Sequence, residues 1–158
     1  RNAVPTPGIQ MRLTLSTDFS VRVLIYAALK GDGLTTIDEI ANHFDISRNH
    51  LMKIVHLLGR KGYLETIRGK HGGLRLTRKP SQINVGTLVR DTEGELAILG
   101  CHQEQDYCRI QQCCVLRSAL RDAANAFIAV LDQYTLQDMI KPRNALVRAL
   151  ELDPAAAR

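Results

Sequence analysis

The sequence predicts a mainly α-helical chain: a winged helix-turn-helix module in the first half, a long helix beyond it, and a cysteine-bearing loop between. Three observations predict this. Between Ile46 and Lys79 stand nine basic residues and one acid, Glu65, while the rest of the 158 residues holds 12 basic and 15 acidic ones. Two short amphipathic helical patterns meet at a tight turn and run directly into a glycine-rich hairpin pattern. All the cysteines fall in one stretch, GCHQEQDYCRIQQCCVLR, from Gly100 to Arg117.

Hydrophobic residues make up 45% of the chain and charged residues 23%, which places it among globular proteins and not among disordered chains. No apolar run approaches the roughly 18–20 residues of a membrane helix. The start, RNAVPTPGIQ, lacks the apolar core of a secretory signal and reads as a flexible leader or an appended remnant over 1–10, with Met11 as the natural start. The expected compartment is the cytoplasm, where structural disulfides are rare and clustered cysteines point to metal binding or redox chemistry. The concentrated positive segment, on an otherwise slightly acidic chain, reads as a footprint for a polyanion. Its bland alternative is a solvated basic face.

The elements follow in order. Thr17 is the expected N-cap of a first helix, FSVRVLIYAALK, with Asp18 in its first turn, where a carboxylate favours the helix dipole. This helix is apolar on most faces, so it belongs in the core, and Gly31-Asp32-Gly33 stops it. TTIDEIANHF reads as a short amphipathic helix capped by Thr35 or Thr36, with Ile37, Ile40, Ala41 and Phe44 on one face. Ser47 caps a third helix, which turns Leu51, Ile54, Val55 and Leu58 inward and ends at Gly62. Arg48, Asn49, His50 and Lys53 are exposed near its N-terminus, the end that reaches base edges in a helix-turn-helix, where Ser47 is a DNA-binding candidate as well as a cap, and Arg and Asn suit paired hydrogen bonds to purine edges. Arg60 extends the basic face. LETIR and LRLTR alternate apolar and polar around GKHGG, which predicts a β-hairpin, the wing, with Arg68, Lys70, His71 and Arg75 along the DNA backbone or minor groove. The alternative for His71 is a plain solvated loop residue.

Pro80 closes the wing. INVGTLVRDTEG predicts a short helix, and ELAIL a strand leading into the cysteine loop. From Cys114 the chain is helical again, and Leu116, Leu120, Ala123, Phe127, Val130 and Tyr134 repeat at alternating steps of four and three, a heptad seam suited to a second copy of the chain. Packing on the chain's own core is the competing reading. TLQDMIKPRNALVRALEL ends as a further short helix after Pro142 or as a tail. The resulting division is 11–80 for the winged module, 81–115 for the connecting helix and cysteine loop, 115–140 for the dimerisation helix and 141–158 for the C-terminal helix or tail.

The cysteines are spaced C-x6-C-x4-CC, from Cys101 through Cys108 to Cys113 and Cys114. Tetrahedral zinc usually takes tight C-x2-C pairs, and none is present. Three thiolates at wide spacing, through Cys114, fit an iron–sulfur cluster, with zinc the alternative. The lack of a CxxC motif and of a cofactor-binding loop argues against a redox enzyme or a metal-free thiol switch.

The segments LTLSTDFSVRVLIYAAL, ISRNHLMKIVHLLGRKGYLETIRGKHGGLRL and CRIQQCCVLRSAL resemble the nitric-oxide-sensing branch of the NsrR/IscR family of winged-helix iron–sulfur regulators, over Met11 to about Tyr134. The resemblance implies a homodimeric repressor that binds an inverted-repeat DNA operator while its cluster is intact and releases it when nitric oxide attacks the cluster. It maps the cluster ligands to Cys101, Cys108 and Cys114, which leaves Cys113 as an extra thiol. The IscR branch carries a histidine ligand where this chain has Arg117, which favours a 4Fe–4S cluster over a 2Fe–2S one. Asp18, where the nitric-oxide-sensing members carry an acid, is the candidate fourth ligand, from the same or the partner subunit. Its alternative is a first-turn aspartate that only favours the dipole, worth about 0.3–1 kcal/mol. His102 is a weaker candidate. Related regulators of redox state or iron–sulfur supply, and a zinc-stabilised repressor, are the rival functions.

Overall fold

The computed structural model describes residues 12–94 and 108–152. The expected leader, the strand expected over ELAIL, Cys101 and His102 lie outside the described residues.

Helix α1 (Leu15–Leu29) is the central element. Val23, Leu24, Tyr26, Ala27, Ala28 and Leu29 are buried in it, as its nearly continuous apolar sequence requires. Its N-cap is Thr14, not the expected Thr17. Thr17 lies inside the helix, fully buried, and its hydroxyl pairs with that of Thr92 at 2.6 Å. The tertiary partner decided between neighbouring hydroxyl residues that are equally good caps by type.

Helices α2 (Ile37–Phe44) and α3 (Arg48–Arg60) form the helix-turn-helix. Thr36 caps α2 with a reciprocal box: its hydroxyl accepts from the Glu39 N–H at 3.1 Å, and the Glu39 carboxylate accepts from the Thr36 N–H at 2.7 Å. Asp45 ends α2 in the left-handed region at φ 51°. Ser47 caps α3, and Leu51, Ile54, Val55 and Leu58 are buried, as the sequence predicts. Strands β1 (Leu64–Ile67) and β2 (Gly73–Leu76) pair antiparallel, with Glu65 opposite Arg75. Gly72 is dictated by crowding, because a Cβ there would stand 2.1 Å from the Ile67 carbonyl oxygen. The hairpin is fastened to the body by two hydrogen bonds between Thr35 and Leu74, at 3.1 and 2.7 Å.

Helix α4 (Val85–Glu93) then returns along α1. Helix α5 (Val115–Leu131), with Cys114 as its N-cap, leaves the body, and Ile128 is its only buried residue. The base of α5 is bolted to α4. Asn84 donates its side-chain N–H to the Asp132 carbonyl at 2.7 Å, Arg90 pairs with the Asp132 carboxylate, and the Val85 N–H donates to the Tyr134 carbonyl at 2.9 Å. Gly86 permits this approach, since a Cβ there would lie 2.9 Å from the Asp132 backbone nitrogen. The joint ends α5 at Leu131, so Tyr134, counted in the heptad seam, lies beyond the helix. Helices α6 (Leu136–Met139) and α7 (Arg143–Ala149) fold back onto the core through Leu136, Ile140, Val147, Leu150 and Leu152.

Candidate nucleic-acid interface and thiol segment

The outward face of α3 is built from its amphipathic spacing. With Leu51, Ile54, Val55 and Leu58 inside, Asn49, Met52, Lys53 and His56 form an exposed stripe that lines a shallow, open depression. Of these, sequence reasoning singled out Asn49 and Lys53 and missed Met52 and His56. The helical spacing that identified the inner face identifies these two as well, but neither is a conventional phosphate-binding type.

The remaining predicted residues have unequal surroundings. Ser47 is committed to capping, accepting from the His50 N–H at 3.4 Å. Arg48 makes an ion pair with Asp38 of α2 at 2.8 Å. The His50 ring leans on Phe19 of α1, with 6.0 Å between centroids. Arg60 stands at the other end of α3, about 18 Å from Arg48 along the axis, so the two do not share a reading site. Arg75 pairs with Glu65 across the hairpin, as the strand register requires. Arg68, Lys70 and His71 are exposed at the wing tip, and no ion pair involving them or Lys53 occurs among the described residues.

The root of the wing is held by a polar cluster. Tyr63 is buried, and its hydroxyl donates to Asp91 of α4 at 2.6 Å. Lys61 pairs with the same carboxylate at 2.9 Å. Burial opposes the charge on Asp91, but the hydrogen bonds from Lys61 and Tyr63 outweigh it and hold this carboxyl below its ordinary range. Burial first, and then the bond to Asp91, push the Tyr63 phenol well above its usual value. The Arg78 guanidinium lies 5.2 Å over the Tyr63 ring and donates to the Gly62 carbonyl, so it serves the root of the wing.

Cys108, Cys113 and Cys114 are free thiols; the first two are exposed and Cys114 is half-buried. Cys113 and Cys114 immediately precede α5, and the Cys113 thiol donates to the Ile110 carbonyl at 3.4 Å. Asp18 is engaged by Arg22 one turn on, at 2.8 and 3.1 Å. Arg22 is itself steadied by the rings of Phe19 and Phe44, each 5.9 Å away. Among the described residues, no three His, Cys, Asp or Glu side chains converge as a metal site, so Asp18 is not gathered with Cys108 and Cys114. The donor types suit a soft metal: the two described cysteines among the three expected ligands form no disulfide, Cys108 exposed and Cys114 half-buried.

One linkage had no signal in the sequence. Glu93, in the last turn of α4, accepts from the Thr14 backbone N–H at 2.7 Å and from the Thr14 hydroxyl at 3.1 Å. A carboxylate 79 residues away in sequence thus completes the capping of α1. Glu93 stands at the unfavourable end of its own helix dipole and at the favourable end of α1's. Residues 95–107, which carry Cys101, follow immediately.

Comparison with known proteins agrees with this architecture. The Rrf2 family profile, described as an iron-dependent transcriptional regulator, matches residues 13–142. The HTH-type transcriptional regulator NsrR of Bacillus subtilis is 44% identical over 144 residues, covering 90% of this chain and 99% of that protein. Among solved structures, the T. potens IscR is similar at TM-score 0.67 and 26% identity, over 84% of this chain and 88% of that one. CymR, the global cysteine regulator of B. subtilis, is similar at TM-score 0.63 and 26% identity, over 82% and 96%. With a basic helix-turn-helix, a wing fastened at both ends and a family match across nearly all described residues, the chain belongs to the Rrf2 family of transcriptional regulators, in its NsrR-type branch.

Proposed function

We propose that this regulator is a homodimeric repressor of an inverted-repeat operator, controlled by an iron–sulfur cluster that nitric oxide attacks. The observation that carries the reading is the position of the free thiols of Cys108 and Cys114. Both precede a long helix, Cys114 as its N-cap, whose apolar stripe the described chain covers only in part, with Leu120 and Phe127 half-buried. Leu116 is 59% exposed and Val130 53%, with Leu120 and Phe127 between them. A stripe of that kind fits the same stripe of a second copy.

Cys101, Cys108 and Cys114 would hold a 4Fe–4S cluster, with Asp18 of either subunit as the oxygen ligand. The cluster supplies iron that nitric oxide can bind. The chain's own residues supply the coupling. Arg22 orients the Asp18 carboxylate at the N-terminal turn of α1. Glu93 and Thr92 tie that same turn to the end of α4, just ahead of the cysteine segment. Helix α1 packs against α3. A shift at the ligands therefore reaches the recognition helix through one rigid element, and a differential of a few kcal/mol between two arrangements suffices to change operator occupancy. The reading groups are Asn49 and Lys53 in the groove, with Arg48 and His50 flanking; Arg60, at the far end of the helix, and Arg68, Lys70, His71 and Arg75 on the wing serve the DNA backbone.

The test is the visible absorption spectrum of the chain purified without oxygen, titrated with nitric oxide while DNA binding is followed in the same samples. Brown protein, bleached by nitric oxide as binding falls, is expected. Colourless protein with stoichiometric zinc and unchanged DNA binding overturns the sensor reading. Bleaching by oxygen or chelators with indifference to nitric oxide moves the chain to the redox or iron-supply class. Asp18→Ala is expected to lower operator affinity and blunt the nitric-oxide response, and a fully retained response would remove Asp18 from the ligand set.

A further inference from the structure

We propose that Met52 is a sequence-reading residue, packing its thioether against the 5-methyl group of a thymine in the major groove. The inner face of α3 is complete without it, because Leu51, Ile54, Val55 and Leu58 fill the core side. Met52 stays 43% exposed in the middle of the outward stripe, between Asn49 and His56 and beside Lys53, on the wall of the open depression. An isolated surface methionine needs no explanation. One at the centre of the face that the basic helix presents is differently placed, since its three companions there offer an amide, an ammonium and an imidazole.

The occupant that fits this mixture is duplex DNA. The window from Ile46 to Lys79 carries nine basic residues against one acid, which suits a polyanion and disfavours an ordinary protein partner. Along the major groove the thymine methyl is the apolar group that base edges present, and apolar side chains read it by contact. Methionine suits the task because an unbranched, polarisable chain adapts to a methyl whose position varies with local DNA shape. Neighbouring Asn49 can pair with an adenine edge and Lys53 with a guanine edge or a phosphate, so the stripe would read a short mixed sequence.

The inference rests on the DNA-reading part of the proposed function, and the experiment separates the two. The full chain, purified without oxygen, selects duplexes from a randomised DNA pool. The enriched duplex is then remade with deoxyuridine for thymine at one position at a time, which removes only the methyl group. Replacement at one thymine per half-site is expected to weaken wild-type binding about fourfold, the factor that burying a single methyl carries. Met52→Ala, which removes the contact from both subunits of the dimer, should bind the thymine duplex about sixteenfold more weakly and be indifferent to that replacement, while Met52→Leu should keep the sensitivity. An unchanged thermal midpoint for Met52→Ala shows that the fold is kept. Equal sensitivity of wild type and Met52→Ala at every thymine, or none anywhere, overturns the assignment and leaves DNA reading intact. Failure to enrich any sequence overturns both.

Discussion

At the scale of single residues, this chain separates cations by what they are already bound to. Arg48 and Arg75 have carboxylate partners, whereas Lys53 and Lys70 have none among the described residues. A paired arginine gives up its partner before neutralising a phosphate, so its net contribution to DNA binding shrinks. Binding of a polycation to duplex DNA falls with salt at a slope of about −0.9 per phosphate contacted. Lys70→Ala is therefore expected to shallow the salt slope by about one per subunit, about two for the dimer, and Arg75→Ala by clearly less. Titrations of the wild type and both variants from about 50 to 200 mM salt check this; equal losses would show that the Glu65 pair opens on binding. The basic residues themselves were legible from composition. Their pairing was not, because it depends on Asp38 lying one helix away and on the hairpin register that sets Glu65 against Arg75.

At the scale of elements, the informative cases are the two ends of helices that sequence alone misplaced. The stretch LTLSTD offers several hydroxyl caps for α1, and Thr14 wins because Glu93 reaches it from α4. The heptad period was legible through Val130, but α5 stops at Leu131, where Asn84 and Arg90 seize Asp132. Both outcomes were set by partners far along the chain, which local periodicity does not contain. Where caps are local, as at Thr36 and Ser47, sequence and structure coincide. Glu93→Ala removes half of a capping box supplied from outside the helix, and a loss of about 0.5–2 kcal/mol is expected. Denaturant unfolding reads the loss, and hydrogen exchange should place it in the first turn of α1. For α5, Val130→Glu sets a charge into an exposed stripe that the single chain leaves open. The expectation is an unchanged helical signal with a dimer converted to monomer in sedimentation, and a persisting dimer would move the interface elsewhere.

At the scale of the whole molecule, a small set of carboxylates ties the helical layers together, and this fixes the response to acid. Asp91 joins the root of the wing to α4, and Asp132 joins α4 to α5. Asp132 is held below its ordinary range by the Arg90 hydrogen bond. Glu39 is lowered too: burial opposes its charge, but bonds from Thr36, Thr35 and Lys30 prevail. A depressed folded-state value means stability that is complete above the unfolded value of about 4 and is lost as pH falls from there through the lower folded value. Stability is therefore expected to be flat from about pH 6 to 5 and to drop steeply below about pH 4. Asp91→Asn should lower the plateau and flatten part of that acid limb, as unfolding curves at successive pH values would show. An acid limb identical to the wild type's would mean that Asp91 titrates alike in both states.

Arg143 donates to the carbonyl of Leu29 at 2.9 Å, and Val147, Leu150 and Leu152 are buried in the same core as the first helix. The winged module, although contiguous in sequence, thus leans on the last turn of described chain. During synthesis the helix-turn-helix and wing emerge from the ribosome long before the residues that close their hydrophobic base. Contacts of such long sequence separation form late and slow the final step. A nascent regulator should therefore be unable to hold DNA until the segment through Leu152 has left the ribosome and packed against the first helix.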